Sequence, residues 1–197
     1  RRSFIKNSIL ATGAAISLPS FSFNIISNRP QEEVILGHGD YTYQLDRDWA
    51  KLSKVRTPLL NCHEMVMDSK GRLIMVGDNT KNNIVIYDKS GKLLDYWGVR
   101  YSGGHGLSLW NDGSDDFLFI CDTKGQSVIK TTTDGRELMI IGHPSQYGAY
   151  DKKDPFKPTE SAIGPNGDIY IADGYGSNYV LQFTKDGEFI RKIGGGR

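Results

Sequence analysis

The sequence predicts an all-β protein and, within that class, a β-propeller. Three observations carry the prediction. The chain repeats itself: three segments, each of four short β-rich runs, follow one another along most of its length. The turn chemistry between the runs recurs at the same places in each segment. Glycine is also abundant, 23 of 197 residues against only 7 prolines, which fits hairpin punctuation and not low complexity.

The first unit runs from His63 to Asp78 and from Asn83 to Gly98, with turns at Asp68–Gly71 and Asp88–Gly91. The second has runs at His105–Leu109, Phe117–Asp122, Val128–Lys130 and Ile140–Gly142, with turns at Asn111–Asp116 and Thr133–Gly135. The third has runs at Thr159–Ile163, Ile169–Asp173, Val180–Phe183 and Ile193–Gly194, with turns at Pro165–Gly167 and Lys185–Gly187. Gly71 and Gly91 are 20 residues apart, as are Gly167 and Gly187. Four antiparallel strands in a unit of about 40–50 residues make the blade of a propeller. A β-sandwich is the alternative, but sandwiches do not repeat their turns in this way. The expected blades are 60–102, 103–156 and 157–197, preceded by an entry segment over 28–59. Within that segment Glu33–Gly37 is a candidate outer strand, and Leu36–Leu52 reads as irregular. A closed ring of this kind takes about six blades. Three leave half the ring unbuilt, so the expectation is a fragment, roughly the N-terminal half.

Residues 1–27 read as an address. They hold Arg1, Arg2 and Lys6, no acid, and then the small, apolar run Ser8–Leu18. That run is too short and too weakly apolar to span a membrane. The head Arg1-Arg2-Ser3-Phe4-Ile5-Lys6 is similar to the bacterial twin-arginine signal. The resemblance implies the twin-arginine export machinery as a partner and a periplasmic or extracellular mature protein without a stable membrane span. Removing this segment takes three positive charges from a net +1, leaving −2. That balance excludes a protein that coats nucleic acid, so no nucleic-acid partner is expected. Two cysteines exclude a disulfide scaffold.

In a propeller the first strand of each blade lines the central channel. Its starting positions form a ring at the channel mouth, and that register holds His63, His105 and Thr159. Imidazoles from separate blades can converge on a transition ion; each can equally be a lone polar residue bonded to water. A small-molecule or peptide ligand is expected at this mouth. His38 and His143 are expected to be solvated in loops. Cys62, beside His63, is either a soft-metal ligand or a buried thiol like Cys121, and whether the two cysteines pair is left open. Glu64 and Glu160 share a repeat position, as calcium ligands or as caps of strand ends. The chain has no serine-nucleophile elbow, P-loop or Rossmann fingerprint.

The run Asn166–Asp173 resembles the NHL-repeat pattern D-x-x-G-x-(L/I/Y)-x-(V/I)-x-D. The third unit, from Lys157-Pro158-Thr159-Glu160 to Asp173-Gly174-Tyr175 and Val180-Leu181-Gln182-Phe183, resembles the lyase domain of peptidylglycine amidating enzymes. It is also similar to bacterial exported propellers. That family has P-T-D, then a strand, then D-G-Y-x-N-S-R-(I/V)-x-Q-F. The resemblance implies cleavage of a peptidyl α-hydroxyglycine to an amide and glyoxylate, with zinc held by histidines of separate blades, a structural calcium and a tyrosine. By position it implies His105 as a zinc ligand, from His105-Gly106-Leu107-Ser108, and the Leu107 carbonyl as a calcium ligand. It implies Tyr175 as the catalytic base; a free tyrosine titrates near pH 10, so a neighbouring cation is needed. The pattern departs at three places. Asp78 or Asn79 stands where the family has an active-site arginine, Tyr179 where N-S-R has its arginine, and His63 where it has a small residue. Asp78, Thr159 and Glu160 are further channel-facing candidates. The remaining zinc histidines are expected from blades beyond Arg197. The expected function is therefore an exported, metal-binding NHL-type propeller, a lyase with an altered active site. The alternatives are a non-catalytic ligand- or protein-binding propeller and a calcium-dependent lactonase or sugar-active enzyme.

Overall fold

The computed structural model describes residues 33–195, so the expected signal over 1–27 lies outside the described residues. The chain divides into two compact units, one ending at Leu45 and one beginning at Asp46. In the first, β1 (Ile35–His38) pairs antiparallel with β2 (Tyr41–Gln44), His38 opposite Tyr41, and Leu45 N–H closes on Val34 O at 2.8 Å. This corrects two expectations. Part of the stretch read as irregular is a hairpin, because Gly39-Asp40 supplies a two-residue turn between strand-forming neighbours. The candidate outer strand at Glu33–Gly37 joins no blade; its residues Ile35–Gly37 pair with β2 in a separate two-stranded sheet.

The second unit is all β apart from one 3-10 turn at Pro144–Tyr147. Its first sheet is β3 (Cys62–Met67), β4 (Leu73–Gly77), β5 (Ile84–Tyr87) and β6 (Leu93–Trp97). The second is β7 (Gly104–Asn111), β8 (Asp116–Asp122), β9 (Ser127–Thr132) and β10 (Glu137–Ile141). The third is β11 (Glu160–Ile163), β12 (Ile169–Ala172), β13 (Tyr179–Phe183) and β14 (Phe189–Gly194). In every sheet, strands pair antiparallel in chain order. These are propeller blades, held at their turns by local chemistry. Asp68 Oδ1 accepts the amides of Lys70 and Arg72 at 3.1 and 2.8 Å, which closes the β3–β4 turn over Gly71 at φ 73°. Gly167 occupies the equivalent turn of the third blade at φ 86°. A side chain is disfavoured in that conformation.

Side chains alternate across each sheet, and the buried faces meet their neighbours. Ile74, Val76, Ile84 and Ile86 of the first blade pack against Leu107, Leu118, Ile120 and Ile129 of the second. Phe119, Cys121, Val128 and Ile141 pack on Ile169, Ile171, Leu181 and Phe183 of the third. The other face of the first blade, with Met75, Val85 and Tyr87, is covered by Trp49 and Leu52. Each large side chain buried in these layers contributes about 1.5–3 kcal/mol. Both cysteines are free. Cys121 is buried as expected, but Cys62 is exposed, because it opens β3 at the end of the sheet. Among the described residues no helix is long and apolar enough to cross a membrane.

Candidate functional site

The strand order fixes where chemistry can collect. β3, β7 and β11 are the first strands of their blades, and β7 lies against both of the others. The starts of β3, β7 and β11 therefore share one face with the β4–β5, β8–β9 and β12–β13 loops. His63 and His105 stack there, centroids 4.3 Å apart and planes 24° from parallel. Tyr175, on the β12–β13 loop and 64% exposed, meets the His105 edge at a centroid distance of 5.2 Å.

Hydrogen bonding sets the state of His105. Its Nδ1 lies 2.9 Å from the Thr159 carbonyl. A carbonyl only accepts, so Nδ1 carries the proton. In the neutral ring Nε2 then holds the free lone pair. Nε2 lies 3.3 Å from the Tyr175 hydroxyl, which donates to it. Thr159 thus acts through its backbone, holding the ring that it neighbours in the repeat register. Gly106 makes this approach possible: a Cβ on it would stand 2.5 Å from Thr159 O and 2.8 Å from Glu160 Cα.

Behind this row lies a carboxyl pair. Glu64 Oε2 accepts Leu107 N–H at 3.0 Å. Glu160 Oε1 accepts Ser161 N–H at 2.8 Å and lies 3.2 Å from Ser108 Oγ. Ser108 Oγ also reaches Ser161 O and, at 2.7 Å, Ser161 Oγ. Glu64 and Glu160 hydrogen-bond to each other. Burial first, and Glu64 second, push the Glu160 carboxyl up to about 7. The pair therefore links blades one and three in front of the glycine of blade two. The Leu107 side chain is fully buried between blades one and two.

Among the described residues, Asp78 makes no hydrogen bond to the histidine rings and sits against the residues that precede His63. Its Oδ2 accepts Asn61 Nδ2 at 2.9 Å, and its amide bonds Leu60 O. His38 is exposed, but His143 is not the solvated loop residue expected. Its ring nitrogens lie 2.9 Å from Ser145 Oγ and 2.9 Å from Asp154 O, so it staples the β10–β11 connection. The sequence reading overlooked Asp173 as a site residue. Fully buried, it accepts Lys157 N–H at 2.7 Å, Ser177 N–H at 2.6 Å and Tyr150 O–H at 3.0 Å. It thereby anchors the loop that carries Tyr175. Burial, and then the Asp173 carboxylate, push the Tyr150 phenol up, which keeps it a donor. The signal was the closing aspartate of the repeat pattern. The Ser108–Ser161 contact was also overlooked; its only trace was a hydroxyl within an apolar channel strand.

Known proteins share this arrangement of blades. No family model matches the chain. Rat peptidylglycine alpha-amidating monooxygenase is 32% identical over 116 residues, 57% of this chain and 11% of that protein. Human NHL repeat-containing protein 3 is 26% identical over 153 residues, 73% of this chain and 44% of that protein. Peptidyl-alpha-hydroxyglycine alpha-amidating lyase 2 of Drosophila melanogaster is 30% identical over 124 residues, 61% of this chain and 30% of that protein. The chain is a relative of the amidating lyases and of NHL-repeat proteins. It spans less than half the length of each of these relatives. Among solved structures, a streptogramin B lyase aligns with TM-score 0.53 and 17% identity, over 70% of this chain and 41% of that one. Virginiamycin B lyase from Staphylococcus aureus aligns with TM-score 0.50 and 19% identity, over 68% and 43%. At these identities the likeness speaks for the propeller fold alone.

Proposed function

We propose that the face carrying His63, His105 and Tyr175 is the reaction face of an exported, metal-dependent lyase, related to the amidating lyases and altered in its substrate. The observation that carries this reading is the hydrogen-bonded line from Thr159 O through the His105 ring to the Tyr175 hydroxyl. A backbone carbonyl on Nδ1 is the partner that fixes a histidine for ligation through Nε2. The donor types fit a borderline ion such as zinc: His105 Nε2, the His63 ring beside it and the Tyr175 oxygen. Among the described residues no group of three or more histidine, cysteine or acidic side chains is close enough to hold an ion alone. These residues therefore represent part of a ligand set. A bound transition ion supplies a Lewis acid for a substrate hydroxyl or carbonyl oxygen.

His105 has one free lone pair, at Nε2, and the Tyr175 hydroxyl uses it. Ligation at that nitrogen would free the phenol and favour its phenolate form. As a phenolate, Tyr175 would be placed to take the proton of an α-hydroxyl group as the neighbouring carbon–nitrogen bond breaks, and the departing amide nitrogen would take a proton in turn. Asp78 is tied to Asn61 and offers no cation to an anionic substrate, which is the reason to propose an altered substrate.

The carboxyl pair favours a second reading, a calcium-dependent propeller enzyme such as a lactonase. Hard oxygen donors from Glu64, Glu160 and the Leu107 carbonyl suit that ion. Elemental analysis of the full-length protein separates the two. Stoichiometric zinc supports the lyase, calcium alone supports the second reading, and neither ion together with indifference to chelator means a binding protein. A glyoxylate-release assay on α-hydroxyglycine peptides then tests chemistry. Equal rates for wild type and Tyr175→Phe would remove Tyr175 from the mechanism.

A further inference from the structure

The structure holds a cleft lined by none of the residues of the histidine row, between the turn at Ser53–Thr57 and the outer strand of the first blade. Its volume is about 740 Å³, and Arg47, Lys51, Arg56, Leu94, Asp95 and Tyr96 are among its walls. The segment that carries Arg47 and Lys51 is fixed against the first blade. Trp49 donates its indole N–H to Lys89 O at 3.1 Å and lies 5.2 Å from the Tyr87 ring. Lys51 N–H bonds Gly91 O at 2.8 Å, and Lys51 pairs with Lys92 as a parallel bridge. Gly91 permits this contact, since a Cβ there would stand 1.7 Å from Trp49 O. The turn is fixed as well: Thr57 is buried, its amide bonds Ser53 O at 2.8 Å, and Ser53 Oγ accepts Arg56 N–H at 3.2 Å.

The bridge from Lys51 to Lys92 lies just before β6, whose own outer edge is unpaired among the described residues. Among the described residues, β6 has β5 on one side and no strand on the other. Antiparallel alternation, set by the bond from Asn83 N–H to Gly98 O, turns the Asp95 amide and carbonyl to the free edge. Leu94 and Tyr96 are exposed beside it. Neither Arg47 nor Arg56 has an ion-pair partner among the described residues. Three cations against two lining carboxylates, Asp48 and Asp95, leave the cleft one positive charge in excess. Asp95 Oδ1 is moreover turned onto Tyr96 N–H at 2.8 Å.

We propose that this cleft docks an extended acidic peptide, whose backbone pairs with the free edge of β6 and whose carboxylates meet Arg47, Lys51 and Arg56. Strand addition gives affinity through the main chain, and the guanidinium groups select the charge. The bridge at Lys51 shows that the chain just before β6 already accepts a second segment.

The test uses the full-length protein and a fluorescein-labelled peptide of alternating glutamate and valine, read by anisotropy. The wild type is expected to bind it, and to bind the lysine–valine counterpart at least about tenfold more weakly. Arg47→Glu combined with Arg56→Glu should weaken binding of the glutamate peptide by about tenfold or more. Hydrogen exchange at the Asp95 amide should slow when the peptide binds, because that N–H gains a partner. Asp95→Pro removes the same donor at a position where an edge strand tolerates proline, and should weaken binding without loss of fold. Absence of binding by the wild type overturns the proposal. So does binding that leaves exchange at Asp95 unchanged, or an equal response to inorganic polyphosphate, since either means charge attraction without strand pairing.

Discussion

In the first and third blades an aspartate follows the second strand, Asp78 and Asp173, and the two are used in opposite ways. Asp173 is fully buried and takes three donors, from Lys157, Ser177 and Tyr150. Asp122, in the second blade, takes the amides of Gly103, Lys124 and Gly125 at 3.0, 3.1 and 2.8 Å. Among the described residues the Asp78 carboxylate takes only Asn61 Nδ2, and its Oδ1 is buried with no partner. The cause is visible in the chain. Gly125 and Gly176 stand three residues beyond their aspartates, where a Cβ would be within 2.5 and 2.1 Å of a carboxylate oxygen. The first blade has Lys81 there, so its loop does not fold back onto Asp78. Asn82 in that loop likewise has both amide atoms buried and unpaired. The third blade thus holds a preorganised loop, with Tyr175 on it, while the first carries unmet polar groups. A buried unmet acceptor costs about 1–3 kcal/mol.

Substitutions can break this contrast. Asp173→Ala strands two amides and a phenol, and is expected to destabilise by about 3–5 kcal/mol in denaturant unfolding. It should also abolish any activity that depends on Tyr175. A loss below about 1 kcal/mol would contradict the role given to Asp173. Gly106→Ala forces a Cβ onto Thr159 O and is expected to cost about 1–3 kcal/mol. It should also disturb the His105–Thr159 bond, which nitrogen-15 shifts of the imidazole would report. An unchanged imidazole spectrum would show that β11 and β7 leave room for a methyl group at residue 106.

Glu160→Gln tests the carboxyl pair that bridges the two blades. The Glu160 carboxyl is raised to about 7 from an ordinary 4.5. Between those values the folded protein holds a proton that the unfolded chain has released. Stability linked to this group is therefore full below about 4.5, falls as pH rises, and reaches its minimum above about 7. Glutamine keeps the hydrogen bond without the charge. The variant should melt higher than wild type at pH 8 and no higher at pH 5; parallel melting curves at both would refute the shared proton. The smallest effect is expected at the first blade. Asp78→Asn exchanges an under-used carboxylate for an amide and should shift stability by less than about 1 kcal/mol. A loss as large as that of Asp173→Ala would show that Asp78 has partners comparable to those of Asp173.

The blades were legible because their signals are local. Turns such as Asp68–Gly71 and alternating runs such as Asn83–Tyr87 need no knowledge of neighbours. His63 and His105 share one face by repeat register, whereas Tyr175 enters only through the family resemblance. The contacts that give them chemistry were not legible, because each crosses between distant segments. Thr159 was read as a side chain and acts through its carbonyl. His143 was read as solvated and is bound at both ring nitrogens, because the connection that follows β10 folds back over it. Cys62 and Cys121 look alike by residue type, but only Cys121 is buried within an inner strand. Asp78 and Asp173 share a repeat position, and only the packing around them separates their roles.

Each sheet pairs only strands that are consecutive in the chain. Nothing synthesised later is needed to complete the ladder of an earlier blade. The first blade can form its hydrogen bonds as soon as Trp97 has left the ribosome. Leu107, Leu118 and Ile120 then arrive to cover its apolar face, and the third blade does the same for the second. An order of synthesis that is also an order of burial keeps each exposed sheet waiting for only one successor. It reduces the time in which a sticky surface is open to other chains.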